Sequence, residues 1–506
     1  MAIKRYVSTA DTTITNAYAA NLQTRGTGSN MGASDVAEVF SIYGQASSSA
    51  GPSSELSRAL YKCPVETSIA ADRATGDIPV SGSVEFYLRI FNAKHSQTLP
   101  TGFTITATAV SRSWDEGVGL DMEEYTDLTY DDVGANWINS EGSTSWSGNG
   151  GDFHTASWDL SSSFDTYFDK GNEDLEINIS PLVEQWLDSA GNVLGSKSNY
   201  GLGLYLSSSH EADQLSYYTK KFFTRGTEFF FKRPVIEARW DSSKKDNRAN
   251  FFLSSSLATA ADNLNTLYFY NRARGRLRDI PALGATQTTS TNIYLSVYPS
   301  LGGEQKNLPA GGGVAADGDK IVTGSWVSTG IYKASFAYTG SEAALYDVWS
   351  TSTTWSPSTE VYSGSAITVD NTTQAGIFSD NSDSKYVFSI KNLKSEYLGK
   401  EKSRLKVFTR KRDWNPAIYT KATSVVAPSI VEDVYYKIIR ANDNLVAVDY
   451  GTGSAHHTRL SYDVSGSYFD LDCSILKPEY TYAINFLYYD GEKYNEQPET
   501  FKFKVK

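Results

Sequence analysis

Val84-Glu85-Phe86-Tyr87-Leu88-Arg89-Ile90 places an aliphatic or phenyl side chain at every second position and a charged residue or tyrosine between them. Successive side chains of a strand point to opposite faces, so such a segment buries one face and wets the other. The same period recurs on either side. Phe103, Ile105, Ala107 and Ala109 alternate with Thr104, Thr106 and Thr108. Leu202, Leu204 and Leu206 repeat the pattern, as do Ile293, Leu295 and Val297, and then Phe501, Phe503 and Val505. This periodicity predicts an all-β chain built of sandwiches and jelly rolls. Helix signals are few. Ser180 as N-cap, Pro181 at the first helical position and the stripe Leu182, Val183, Trp186 and Leu187, stopped by Gly191, predict one helix. A second short helical turn is expected over Glu55 to Tyr61.

A chain of 506 residues suggests three or four domains. The polar interval 241–250, between apolar strands, marks the first boundary. Residues 1–240 then form one large jelly roll, 241–361 an immunoglobulin-like β-sandwich, and 362–506 a C-terminal β-sandwich, with a further division near 416–428 at Pro416 and Ala427-Pro428. No short fixed repeat is visible, so a propeller or solenoid is not expected. The net charge of -12 argues against general binding to a phosphate backbone, so no nucleic-acid partner is expected. No run of about 18 apolar residues occurs, which argues against a membrane span. Cys63 and Cys473 are the only cysteines and have no neighbouring partner. Neither a disulfide framework nor a cysteine zinc site is therefore expected, and both read as small buried hydrophobes.

Several motifs occur in a fixed order in the first unit. Asp11-Thr12-Thr13-Ile14 opens it. Ser113-Trp114-Asp115-Glu116-Gly117-Val118-Gly119-Leu120 and Gly134-Ala135-Asn136-Trp137 follow, then Trp146, Gly150-Gly151-Asp152, Ile179 to Trp186, Asn199-Tyr200-Gly201-Leu202 and Lys232-Arg233-Pro234-Val235-Ile236. Over residues 8–240 this order resembles the DNRLRE-type modules, β jelly rolls of bacterial surface and secreted proteins that are similar to carbohydrate-binding modules. The remainder resembles virion structural proteins of tailed bacteriophages. The first segment shows no continuous apolar core of a signal peptide. A chain made in a host cytoplasm and released in a virion is therefore the expected setting. The resemblance implies a non-enzymatic structural component of the particle (capsid decoration, neck, or tail fibre) whose partners are other virion proteins and copies of itself. Two alternatives follow from it: an adhesin for host surface glycans, and a polysaccharide depolymerase.

The residues supply candidates for each reading. Trp114, Trp137 and Trp146 are candidates for a stacking platform for a glycan or partner, or else for core anchors. The acidic run 115–132, with Asp115, Asp121, Asp131 and Asp132, is the candidate for a structural Ca²⁺, which takes several oxygen ligands. No other cofactor is expected. Lys400, Lys402, Arg404, Lys406, Arg410, Lys411 and Arg412 form a basic stretch suited to docking on an acidic neighbour. Catalysis is not expected: no P-loop, G-x-S-x-G or H-E-x-x-H occurs, and adjacent Glu123-Glu124 on a strand would face opposite ways rather than across a cleft.

Overall fold

The computed structural model describes residues 2–48, 51–120, 134–154, 161–188, 194–284, 293–309, 320–354, 356, 358–374, 385–414, 418 and 428–506. The chain is all-β, 43% strand and 8% helix. It divides into two compact units, Ala2–Asp241 and Ser242–Lys506.

The first unit is a jelly-roll-like sandwich. One sheet runs in the order Ile3–Val7, Val235–Arg239, Glu85–Ile90, Leu175–Asn178. The other runs Tyr217–Phe223, Val36–Ser48, Gly51–Lys62, Leu202–Leu206, Phe103–Ala109, Ser163–Phe168, with Ala10–Thr15 also paired to Gly51–Lys62. The alternation of Val84 to Ile90 has the predicted consequence. Phe86, Leu88 and Ile90 are buried against Phe103, Ile105, Ala107 and Leu204 in one core, while Glu85, Tyr87 and Arg89 face outward. Each large side chain so buried contributes roughly 1.5–3 kcal/mol relative to exposure. The first and last strands of the unit pair antiparallel, Ile3 with Arg239 and Val7 with Val235, so the unit closes on its own ends.

The helix spans Ser180–Trp186 and buries Leu182, Val183 and Trp186. Its Ser180 hydroxyl makes no cap. It donates to Asn178 Oδ1 at 2.6 Å and accepts from the Phe86 amide at 2.7 Å, tying the helix to the sheet. Gly191 lies outside the described residues. No helical turn covers Glu55 to Tyr61. That segment lies inside the twelve-residue strand Gly51–Lys62, held on one side by Val36–Ser48 and on the other by Ala10–Thr15 and Leu202–Leu206. Ladder pairing outweighs the local propensity of a short stretch.

The second unit holds two sandwiches. In the middle one, Phe251–Leu253, Ile367–Gln374, Ala344–Ser350, Tyr294–Tyr298 and Ile321–Thr323 form one sheet, faced by Asn265–Tyr270, Ile331–Phe336 and Ser325–Ser328. Its core includes Trp349, Phe269, Tyr332 and Phe336, and it continues past residue 361 to Ile367 and Val369. In the C-terminal one, Tyr386–Ile390, Lys402–Lys411, Gly466–Asp472 and Ser461–Asp463 face Glu396–Tyr397, Phe501–Val505, Thr481–Tyr489, Val434–Arg440 and Leu445–Val448. Aromatic pairs fill it: Tyr436 stacks on Phe469 with centroids 4.3 Å apart, and Phe388 meets Phe486 at 5.7 Å. The edge strand Tyr386–Ile390 is closed by one side chain from the opposite sheet. Gln497 accepts from the Phe388 amide at 2.6 Å and donates to the Phe388 carbonyl at 3.1 Å.

The interval 241–250, which marks the boundary between the two units, is fastened from Lys244 to Asn250. The Asp246 amide donates to the Tyr462 carbonyl at 3.1 Å, and the Tyr462 amide to the Lys244 carbonyl at 3.0 Å, so the interval continues the C-terminal sandwich. Arg248 then reaches the middle sandwich. It pairs with Asp246 at 2.9 Å, with Asp347, and with the Tyr268 carbonyl at 2.5 Å. Asp347 is wholly buried and also accepts from Trp349 Nε1 at 2.8 Å.

Candidate functional site

The motifs of the first unit converge on a fastening rather than on an open cleft. Residues 110–120 and 134–154 fold over the outer face of the larger sheet and build a second small core. Trp114, Trp137 and Trp146 lie in it with Ile14, Leu60, Val110 and Ala135. Each tryptophan is only 5–6% exposed. Trp114 Nε1 donates to the Tyr200 carbonyl at 2.7 Å and Trp146 Nε1 to the Asn136 carbonyl at 2.8 Å. Trp137 stacks its ring toward Arg58, 5.4 Å from the guanidinium carbon. The expected stacking platform is therefore corrected: these rings are anchors, because burying all three and satisfying the N–H groups of Trp114 and Trp146 closes these segments onto the sheet.

Glu116 of the same motif is a clasp. Its carboxylate takes both Nε (2.6 Å) and Nη2 of Arg225 and accepts the Asp11 amide at 2.9 Å. Asp11 in turn accepts the Arg225 amide at 2.8 Å and the Ser8 hydroxyl at 3.0 Å. Asn30, wholly buried, donates to the carbonyls of Glu116 and Ala135, both at 2.9 Å, and accepts from the amides of Gly32 and Gly119. Gly117 sits at φ +74° where an added Cβ would lie 2.3 Å from Asn30 Oδ1, so only glycine fits. The aspartate, tryptophan, glutamate and glycine signals thus hold separate segments together.

Burial pushes the Asp11 carboxyl up to about 6, against the pull of the Arg225 amide and Ser8. The folded value lies above the unfolded one near 3.8, so the folded state binds more protons between those values. This group's contribution therefore falls as the pH rises from about 4 to 6, by up to about 3 kcal/mol. Asp11→Asn keeps an acceptor without the titration. Urea unfolding of the first unit across pH 4–7 is expected to show that slope in the natural chain and its absence in the variant.

Asp115 is exposed, and its backbone amide and carbonyl pair with Ser140 and Ala135. Asp121, Asp131 and Asp132 lie outside the described residues. Among the described residues no group of three or more His, Cys, Asp or Glu is placed to hold a metal ion.

The basic stretch is presented by strand geometry. On Lys402–Lys411, Leu405, Val407 and Thr409 point into the core while Lys402, Arg404 and Lys406 point to solvent. Two of the three meet acids directly across the ladder. Lys402 is 3.1 Å from Asp472, and Arg404 takes both oxygens of Asp470 at 2.8 and 3.1 Å. Arg404 also lies 4.3 Å from the Tyr468 ring centre. The hydrogen-bonded Asp470 carboxylate raises the Arg404 guanidinium and outweighs its burial. Lys400 and Lys406 are exposed and make no ion pair among the described residues. Arg410 donates to the carbonyls of Lys411 and Arg412, Lys411 is half-buried, and Arg412 is exposed. The structure therefore brings the predicted residues together on one sheet and its margin, with part of their charge already neutralised.

Beside this margin opens a cleft of about 210 Å³ that sequence reasoning missed. Lys385, Arg412 and Lys493 contribute cations to it, Asp490, Glu496 and Glu499 acids, and Tyr386 and Tyr488 rings. Asp490 accepts from the amides of Glu492 and Lys493 and from Asn495 Nδ2, which hold its carboxyl below the ordinary range. Burial alone would raise Glu496, but hydrogen bonds from Asn485 and Tyr450 and the nearby Lys437 outweigh it and lower its carboxyl. The lining comes from three separate segments, at 385–387, 412 and 488–499, so no local pattern marks it. No protein-family model matches this chain, and no curated protein sequence matches it.

Proposed function

We propose that the protein is a structural component of a tailed-bacteriophage particle, acting through protein–protein contacts with copies of itself and with neighbouring virion proteins. The observation that carries a contact role is the basic sheet margin. From Lys385 to Arg412 the chain has ten Lys and Arg against only Glu396 and Glu401, in a molecule of net charge -12. Such a face steers and registers docking on an acidic neighbour. The recognisable motifs of the first unit serve as clasps and anchors, which suits a scaffold. Of the three cleft acids, Asp490 and Glu496 are held ionised by their donors, whereas sugar cleavage calls for one carboxyl kept protonated. The virion setting rests on the resemblance of the sequence to tailed-phage structural proteins.

Mass spectrometry of purified particles is the test. The protein is expected in them at fixed stoichiometry, released more readily as salt rises because exposed charge contacts are screened. Its absence from the particles would end this reading.

A further inference from the structure

The cleft beside the basic margin has an unequal supply of free groups. Asp490 and Glu496 are engaged by their own neighbours, and Gln497 is spent on Phe388. Lys385, Arg412 and Lys493 line the same space and make no ion pair within 4 Å among the described residues. Two of these cations are opposed in backbone register. Tyr386 pairs with Lys411 across the ladder, and the Arg412 amide donates to the Lys385 carbonyl at 2.6 Å, so Lys385 and Arg412 are the next opposed positions. Like charges directly opposite each other weaken a sheet, and an anion between them removes that cost. Tyr386 adds an aromatic wall, standing edge-on to Tyr488 with centroids 5.6 Å apart and planes at 89°.

From this arrangement we infer that the cleft binds an anionic saccharide, a uronate-type sugar whose carboxylate lies between Lys385 and Arg412 and whose ring packs against Tyr386. A guanidinium takes a carboxylate in two parallel hydrogen bonds, which fixes the orientation of the sugar. The volume is below the roughly 300–1,000 Å³ of sites that enclose drug-sized ligands, so it suits one ring of a longer chain. Glu499 is the acid of the lining with no partner described, and it opposes the ligand's charge.

The test is calorimetric titration of the full chain with trigalacturonate, with maltotriose as the neutral counterpart and inorganic phosphate as the bare anion. Trigalacturonate is expected to bind, weakening at least tenfold as salt rises from 50 to 500 mM, while maltotriose does not. Lys385→Ala and Arg412→Ala, both at exposed positions, are expected to weaken binding at least tenfold each without lowering the melting temperature, and Glu499→Gln to tighten it. Three results would overturn the inference: no binding of trigalacturonate, binding unchanged in both cation variants, or phosphate competing at equal or lower concentration. None of these bears on whether the protein is found in particles, so this site and the structural role fail separately.

Discussion

Arg248→Met is expected to destabilise residues 242–506 by about 3–5 kcal/mol. The guanidinium joins Asp246, Asp347 and the Tyr268 carbonyl, and Asp347 has no exposed surface. Removing the cation leaves a buried carboxylate with Trp349 Nε1 as its remaining described side-chain donor. A buried charge stripped of its partner costs far more than the intact pair contributes, because the desolvation penalty stays while the attraction goes. The effect reaches beyond the pair, since Arg248 sits in the interval that continues the C-terminal sandwich through Tyr462. Chemical unfolding followed by tryptophan fluorescence resolves this, because Trp349 reports directly on the clamp. Arg248→Met combined with Asp347→Asn and Asp246→Asn is expected to recover a substantial part of the loss, since neither buried carboxylate is then left without its cation. A loss under 1 kcal/mol in the single variant would mean that water reaches Asp347 and the clamp is not dry.

Glu237→Ala is expected to cost the first unit a similar amount, about 3–5 kcal/mol. Glu237 lies on the outward face of the smaller sheet, yet its side chain is only 2% exposed. Arg5 and Arg239 reach it through Nε at 2.6 Å, and Arg89 through Nη1 at 3.2 Å. Burial alone would raise its carboxyl, but the three guanidiniums outweigh that and hold it well below the ordinary carboxylate range. The sign follows from that direction. The stabilisation is complete above the unfolded value near 4.5 and is lost as the pH falls below it. In the variant the three cations repel one another, with Glu176 beside Arg89 and Arg239. Unfolding measured at pH 7 should show the loss at both 50 and 500 mM salt, because a buried cluster is screened much less than surface charges. At pH 3 the gap between variant and natural chain should narrow.

These clusters also show what could and could not be read from the residues. The class of fold was legible because a period of two has one physical meaning, and Phe86, Leu88 and Ile90 are buried as that period requires. The helix over Ser180–Trp186 was legible from its stripe and Pro181, although Ser180 serves the sheet rather than the helix end. The segment Glu55 to Tyr61 misled because its strand identity comes from partners far along the chain. The interval 241–250 was legible as a boundary from its polarity, but not the use of that polarity, since Arg248 is spent on Asp347, 99 residues away. Clustering of basic residues at 400–412 was visible, but their partial neutralisation by Asp470 and Asp472 depends on ladder register, which no single segment contains. The tryptophans of the first unit could be counted but not placed, since the same residue type serves both a buried anchor and an open stacking face.

Gln497 has a consequence for how this molecule tolerates crowding. An outer strand normally offers its amide and carbonyl groups to any passing chain, and growth of fibres begins there. Here a carboxamide occupies that position at Phe388, so an arriving peptide finds its docking groups already taken. At high local concentration that rim therefore presents fewer free backbone groups on which a foreign strand could register.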